Sequence, residues 1–393
     1  MMNNGLRGDP PSTHIRAVLM EHFLAAHQSV RWEVPSDFLS RTHFNRAILR
    51  LDMRSSPGYP YMLTAPTNGD YFKSGENWNN ERIDQMWELV SLRLRTESEA
   101  DPIRTFIKPE PHTEKKISEG RYRIISSVSV ADQLIDHMLF GEMNDLLIEN
   151  WMFVPSKAGW SFLHGGWKLM PRSDEDHVAI DKSAWDWTVK PWLVELVLEC
   201  RLKSCTTEGE LLRLWASKAT YRYRQLFFEA VFITSGGLML KQLDGGIMKS
   251  GCVNTISDNS MMQYILHLRV CLENGFDIGR IMSMGDDTLQ QKPTDLSGYL
   301  WNLGQFCKVK QADSLVEFAG FRFKGMRVEP CYRGKHAFNL LHMDDEVVND
   351  MSLSYALMYH RSVYRGWIAS VFSSLGCKAP ATEWLDAIFD GEI

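Results

Sequence analysis

Two acidic turns, far apart in the chain, constrain this sequence more than any other feature. His177-Val178-Ala179-Ile180-Asp181 reads as a short apolar strand ending in a carboxylate. Ile281-Met282-Ser283-Met284 reads as a second strand, which runs into Gly285-Asp286-Asp287 before Thr288-Leu289-Gln290 resumes. Glycine lets the backbone turn tightly, so the second run is a strand, a turn and a strand whose tip projects two acids. Taken alone, the tripeptide is an ordinary solvated turn, and Asp181 is an ordinary helix cap. The apolar residues directly before each acid argue otherwise. Both acids would end buried strands, and a fold that joins the strand ends gathers hard oxygen donors. Such donors suit two Mg2+ ions roughly 3.5–4 Å apart, with Mn2+ an acceptable substitute for carboxylate oxygen.

Between the two acids lies Ser250-Gly251-Cys252-Val253-Asn254-Thr255-Ile256-Ser257-Asp258-Asn259. Ser250-Gly251 reads as a flexible hinge before a helix. Thr255 and Asn259 are one helical turn apart and share a face. Helix capping accounts for Asn254 or Thr255, but not for Asn259.

Upstream, Lys108-Pro109-Glu110-Pro111-His112, Lys115-Lys116 and Gly120-Arg121-Tyr122-Arg123 form a basic stretch. Arg104 to Arg123 holds six bases against three acids. Arg121 and Arg123 are expected to alternate on a strand and point to one side. The net charge of −6 by itself argues against nucleic acid, but residues 343–393 alone hold eight acids and three bases. The remainder is close to neutral, and a local positive lane can still attract phosphate.

The length of 393 residues and 44% hydrophobic content support a sizeable core divided into lobes. Seven scattered cysteines fit a reducing compartment, and Cys200 and Cys205 lack companions for zinc. No apolar run is long enough to span a bilayer, and Met1-Met2-Asn3-Asn4-Gly5 does not open a signal peptide. There is no phosphate-binding Walker loop and no H-E-x-x-H.

Helices are expected over 76–95, 131–150, 191–230, 254–273, 294–303 and much of 345–393. Strands are expected at 105–107 and 122–125. Hairpins are expected over 230–242, turning at Ser235-Gly236-Gly237, and over 315–328, turning at Lys324-Gly325. Ser55-Ser56-Pro57-Gly58-Tyr59-Pro60 reads as a rigid turn. The pattern is α+β, without regular βαβ alternation.

D-x4-D at Asp181 and Asp186, S-G-x3-T-x3-N from Ser250 to Asn259, and G-D-D at 285–287 follow one another in this order. Over about residues 55–330 the chain resembles the palm-domain RNA-dependent RNA polymerases of positive-strand RNA viruses. Lys108-Pro109-Glu110-Pro111-His112, Gly120 to Ile125, Ser127 to Gln133 and Trp185-Asp186-Trp187 resemble the sobemovirus-like group.

The resemblance implies a right-hand polymerase of fingers, palm and thumb, with an antiparallel palm sheet braced by helices. Fingers would occupy 1–172 and 188–245, palm 173–187 and 246–330, and thumb 331–393, the N-terminal segment bridging fingers to thumb. It implies RNA-templated RNA synthesis from ribonucleoside triphosphates, with pyrophosphate released. Asp181 and Asp286 would bind both metals and Asp287 would assist. Asp186 and Asn259, helped by Thr255, would sense the ribose 2′-hydroxyl, the group that distinguishes RNA.

Ser250-Gly251 would accompany nucleotide closure and template movement. Arg123 would contact the triphosphate, with Lys108, Lys115, Lys116 and Arg121 lining its entry. Ser55, Ser56 and Gly58 would guide template, and the Phe318 hairpin would grip the primer end. Lys310, or else Lys308, would protonate the leaving group. Expected partners are template and product RNA, nucleotides, a genome-linked protein primer and other viral replication proteins. The expected setting is membrane-associated replication complexes in the host cytoplasm. A reverse transcriptase is the rival enzyme, disfavoured by Asp186 and Asn259. A polymerase-like RNA-binding protein without catalysis is disfavoured by the retained carboxylates.

Overall fold

The computed structural model describes residues 5–172, 174 and 176–393. The Met1–Asn4 start, and Ser173 at the expected fingers–palm boundary, lie outside them. The described strands are β1 (Lys73–Ser74), β2 (Asn77–Trp78), β3 (Ile103–Ile107), β4 (Ile124–Ser127), β5 (His177–Lys182), β6 (Val231–Thr234) and β7 (Met239–Lys241). They continue with β8 (Ile281–Met284), β9 (Asp287–Gln291), β10 (Val309–Asp313), β11 (Glu317–Phe318), β12 (Phe321–Lys324) and β13 (Arg327–Pro330).

The acid-bearing strands share one antiparallel sheet, ordered β10-β5-β9-β8. Alternation in β5 explains its orientation. Val178, Ile180 and Lys182 are buried, while Asp181 falls on the other face. A second sheet, β4-β3-β6-β7, is antiparallel except where β3 runs parallel to β6. The third, β11-β12-β13, shares an apolar cluster with Trp160, Leu289 and Phe389.

The helix Thr255–Asn274 braces the acid-bearing sheet, and Ser257 through Cys271 are all buried. It packs on β8 and on the helices Thr13–Ala26, Pro191–Ser204 and Leu296–Leu303. Its polar residues are therefore enclosed and must find partners inside the protein. Asp258 meets the buried Arg201 at 2.6 Å and accepts from the Tyr223 hydroxyl at 2.8 Å. Beside it, Arg222 pairs with Asp136 at 2.6 Å.

Four expectations shift. The helical stretch expected over 191–230 is two helices, Pro191–Ser204 and Gly209–Phe227, because the chain between them leaves the helix where the Thr206 amide bonds to the Trp32 carbonyl. The helix expected from Glu76 begins at Asn80, because the Asn79 side chain caps the Arg82 amide and the preceding residues form the β1–β2 ribbon. The 315–328 hairpin is a three-stranded sheet, because the chain turns at Ala319-Gly320 as well as after Lys324. The strand expected at 122–125 is β4, two residues later. Arg121 and Arg123 therefore lie in the loop before it and do not alternate on a strand.

Removing one partner of a buried ion pair leaves an uncompensated charge, at a cost of about 3–5 kcal/mol. Asp258→Ala, which strands Arg201, is expected to lose that much stability in urea unfolding. A loss below about 1 kcal/mol would show that the pair does not anchor the helix.

Candidate active site

The turn joining β8 to β9 has two residues, Gly285 and Asp286, between the paired Met284 and Asp287. Gly285 has φ +62°, the backbone a type II′ hairpin requires at its first central position. Asp286 is exposed at the tip. In the β5–β9 register, Ile180 faces Thr288, so the next position sets Asp181 beside Asp287.

Asp287 is more enclosed than Asp286. Burial pushes its carboxyl up to about 6, and the charges of Asp286 and Asp181 push the same way. The three carboxylates thus repel one another. Their oxygens are the hard donors a divalent cation takes, and the repulsion is what such a cation relieves. Among the described residues, however, no three metal-ligating side chains stand together at binding distance. Asp181 is instead engaged by the ammonium of Lys310.

Lys310 reaches Asp181 because β10 carries a bulge: Val309 pairs with Lys182 and Gln311 with Asp181, leaving Lys310 as the extra residue. Lys308 contributes only its carbonyl, which accepts from the Ser183 amide. Of the two candidate lysines, Lys310 alone touches a site carboxylate. Behind the sheet, the buried Lys182 donates to the Thr288 hydroxyl at 3.0 Å.

Asp186 lies in the short helix Trp185–Thr188. Asn259 donates to its carboxylate at 3.0 Å, and the Trp185 indole donates to the Asn259 amide oxygen at 2.8 Å. Burial pushes the Asp186 carboxyl up to about 6, against the Asn259 hydrogen bond, which lowers it. The next residue, Ser260, was not singled out from sequence. Its hydroxyl accepts from the Gly285 amide at 3.0 Å, and its carbonyl accepts from the Ser283 hydroxyl at 2.8 Å. Adjacent residues of one helix thus hold both acid-bearing segments.

The Thr255 hydroxyl lies 2.8 and 2.7 Å from the carbonyls of Lys249 and Cys252. Its proton is committed there, so it braces the loop. Ser250 accepts from the Ser126 amide at 3.1 Å. A Cβ on Gly251 would stand 2.4 Å from the Ser126 carbonyl, so only glycine permits this approach to the end of β4.

The basic loop is organised by Glu110, which sequence reading left inside a cationic run. Its carboxylate, 9% exposed, meets Arg123 at 3.2 Å, Lys108 at 3.3 Å and Lys335 at 2.8 Å. Burial alone would raise its carboxyl, but these cations outweigh it and hold it down to about 2. Arg121 pairs with Glu119, while Lys115 and Lys116 stay exposed on the helix Glu114–Ser118.

Ser55 bonds to Asp52, and the Ser56 hydroxyl accepts from the Gly58 amide. Gly58 packs so closely on Val128 and Ser129 that a Cβ would meet them at 2.8 and 2.9 Å. The segment is therefore seated at the end of β4. Phe318 is 2% exposed, with its ring 5.4 Å from that of Trp160. It is packed into the apolar cluster under this sheet. The exposed aromatic at this hairpin is Tyr332, which lines a cavity of about 60 Å³ with Asp181, Asp287 and Glu317.

The fold is that of the right-hand polymerases. A Sicinivirus 3Dpol RNA dependent RNA polymerase superposes with a TM-score of 0.74, covering 98% of this chain and 86% of that one at 18% identity. The family described as viral RNA-dependent RNA polymerase matches residues 12–308, and the chain belongs to it. Protein P1-P2 of Pea enation mosaic virus-1 is 31% identical over 337 residues, 76% of this chain. Replicase polyprotein P2AB of Southern cowpea mosaic virus is 30% identical over 275 residues, 66% of this chain. The matched regions make up only 27% and 28% of those longer relatives.

The raised Asp186 carboxyl predicts a pH effect. The folded protein holds this proton more tightly than the unfolded chain. The stability it adds is complete below the ordinary value of 3.8 and is lost as pH rises through about 6. Asp186→Asn keeps an acceptor for Asn259 without the charge. Its melting temperature relative to wild type is expected to rise between about pH 4 and about pH 7. A flat difference over that range would disprove the effect.

Proposed function

We propose that this chain copies an RNA template into RNA, joining ribonucleoside triphosphates to an RNA 3′-hydroxyl and releasing pyrophosphate. The observation that carries this reading is the clamp at Asn259 and Ser260. One holds the carboxylate suited to sensing a ribose, and the other holds the turn that presents Asp286 and Asp287.

In this reading β10-β5-β9-β8 and the helix Thr255–Asn274 form the palm. The sheet β4-β3-β6-β7 belongs to the fingers, and the helices after β13 form the thumb. Asp181, Asp286 and Asp287 would hold divalent ions, Mg2+ or in its place Mn2+. When bound, those ions would supply activation of the 3′-hydroxyl and neutralisation of the pyrophosphate charge.

Asp186 and Asn259 accept a nucleotide carrying a 2′-hydroxyl, because their polar pair can extend a hydrogen bond to it. Arg123 and Lys108 face the triphosphate, which must compete with Glu110 for them. Lys310 gives its proton to the leaving pyrophosphate oxygen. Its contact with Asp181 supports that placement.

Extension of a primed RNA template tests the reading. Asp286→Ala is expected to lower the rate ~10³-fold, since metal-held charge is worth several kcal/mol in the transition state. Asn259→Ala and Asp186→Ala should lose most of the preference for ribo- over deoxynucleotides. Wild-type levels of extension in Asp286→Ala would refute the mechanism.

The two lysines separate in the same assay. Lys310→Met is expected to slow incorporation ~10²-fold or more, and Lys308→Met less than about threefold. The reverse order would move the proton donor to Lys308.

A further inference from the structure

Lys249, directly before Ser250-Gly251, is 0% exposed. Its ammonium donates to Gln242 Oε1 at 2.6 Å, to the Gly246 carbonyl at 3.2 Å and to the Ile247 carbonyl at 2.8 Å. It sits over the rings of Phe227 and Phe232, at 5.4 and 5.7 Å from their centroids. All three of its donors meet neutral oxygens. Enclosing an ammonium without a carboxylate is costly, and burial lowers its pKa to about 7, against the influence of the Cys252 thiol. A hydrophobic side chain of similar volume would fill this space without that cost, so the ammonium's presence calls for an account.

The loop it ties together supplies one. Ile247 has φ +57°, a conformation that a β-branched residue keeps only when its surroundings impose it. Gly246, with φ +98°, lies so close to Val189 that a Cβ would stand 2.2 Å from its carbonyl oxygen. The loop then reaches the site in consecutive steps. The Ile247 amide donates to the Val189 carbonyl at 3.0 Å, and the Met248 amide to the Asp186 carbonyl at 2.9 Å. The Lys249 carbonyl accepts from Thr255, and the Ser250 hydroxyl accepts from Ser126. On the other side, Gln242 donates to the carbonyls of Phe227, Asp244 and Gly246.

We infer that Lys249 is a positioning residue for ribose selection: with Gln242 it latches the 246–251 loop in the strained form that holds Asp186 against Asn259 and Ser250 against β4. The inference rests on the polymerase reading above. The ammonium touches no substrate and acts through the Met248–Asp186 backbone bond. Its loss lets the Gly246-Ile247 turn relax and moves Asp186 away from Asn259.

Single-nucleotide incorporation on a primed RNA template by the full chain tests this, with kcat and KM measured for a ribonucleotide and its deoxy counterpart. Lys249→Met keeps the length and apolar bulk of the side chain. It is expected to reduce the ribo-to-deoxy ratio of kcat/KM roughly tenfold, mainly through a higher KM for the ribonucleotide. Gln242→Leu should do the same, and the double variant should fall no further, as expected of a pair acting as one latch.

A cooperatively melting Lys249→Met whose ratio stays within about twofold of wild type overturns the inference, as does equal loss of kcat for both nucleotides. If Lys249→Met does not melt cooperatively, Gln242→Leu decides. If neither variant folds, the pair is a folding element and the inference fails. A wild-type chain unable to extend the primer would sink the polymerase reading itself, whereas normal extension with an unchanged ratio sinks this inference alone.

Discussion

The structure depends on a pair of adjacent side chains on a helix that has almost no contact with solvent. Asn259 and Ser260 point to different neighbours. One secures the Trp185-Asp186 turn and the other the Gly285-Asp286 turn. Polar groups this deep are costly when unpaired, so the helix fixes both turns or loses stability. The ion pairs of Asp258 with Arg201 and of Asp136 with Arg222 extend the same logic behind the helix. Buried polarity here works as alignment: it specifies one relative placement of segments that hydrophobic packing alone would leave free to slide.

Charge around the site follows a second pattern, in which several of the charges have a local counterweight. Asp181 has Lys310, presented by a bulge that frees one side chain from the strand's alternation. Arg123 and Lys108 have Glu110, and Glu110 also reaches Lys335 on the helix Arg333–Leu341. Asp181 and the pair Arg123 and Lys108 are thus all engaged within the protein, and in the proposed reading their ligands enter by exchange. Exchange keeps the free protein from carrying bare opposing charges.

Much of this was legible in the sequence because the signals were local. The apolar runs before Asp181 and Asp286, the glycine at the apex and the Asn274-Gly275 helix stop each specify their own element, and each formed where expected. What failed were inferences that needed a neighbour. Arg121 and Arg123 alternate in sequence, but the Arg121 amide bonds to the Lys116 carbonyl and keeps that stretch in a loop. Phe318 looked available because nothing nearby in the chain shows that Trp160 covers it. Glu110 looked like one acid among bases until three cations were found around it. Ser260 gave a weak signal, a small polar residue after Asn259, and its partner is a backbone amide that no sequence pattern reveals. Which of Lys308 and Lys310 contacts Asp181 depends on a bulge, set by the pairing of β10 with β5.

The parallel pairing of β3 with β6 bears on how the chain acquires its structure. Ile103 aligns with Phe232, and between them lie β4, the helix Val130–Glu149, all of β5 and four further α-helices. During synthesis from the N-terminus, β3 can pair with β4 early, but its other edge stays open until residue 232 emerges. By then β5, which belongs to a different sheet, is already made and still waits for β9 and β10. The strand β5 of one sheet is made within the segment that closes the other, so the two sheets are interleaved along the chain, and the open edges are the stretches a nascent chain must shield.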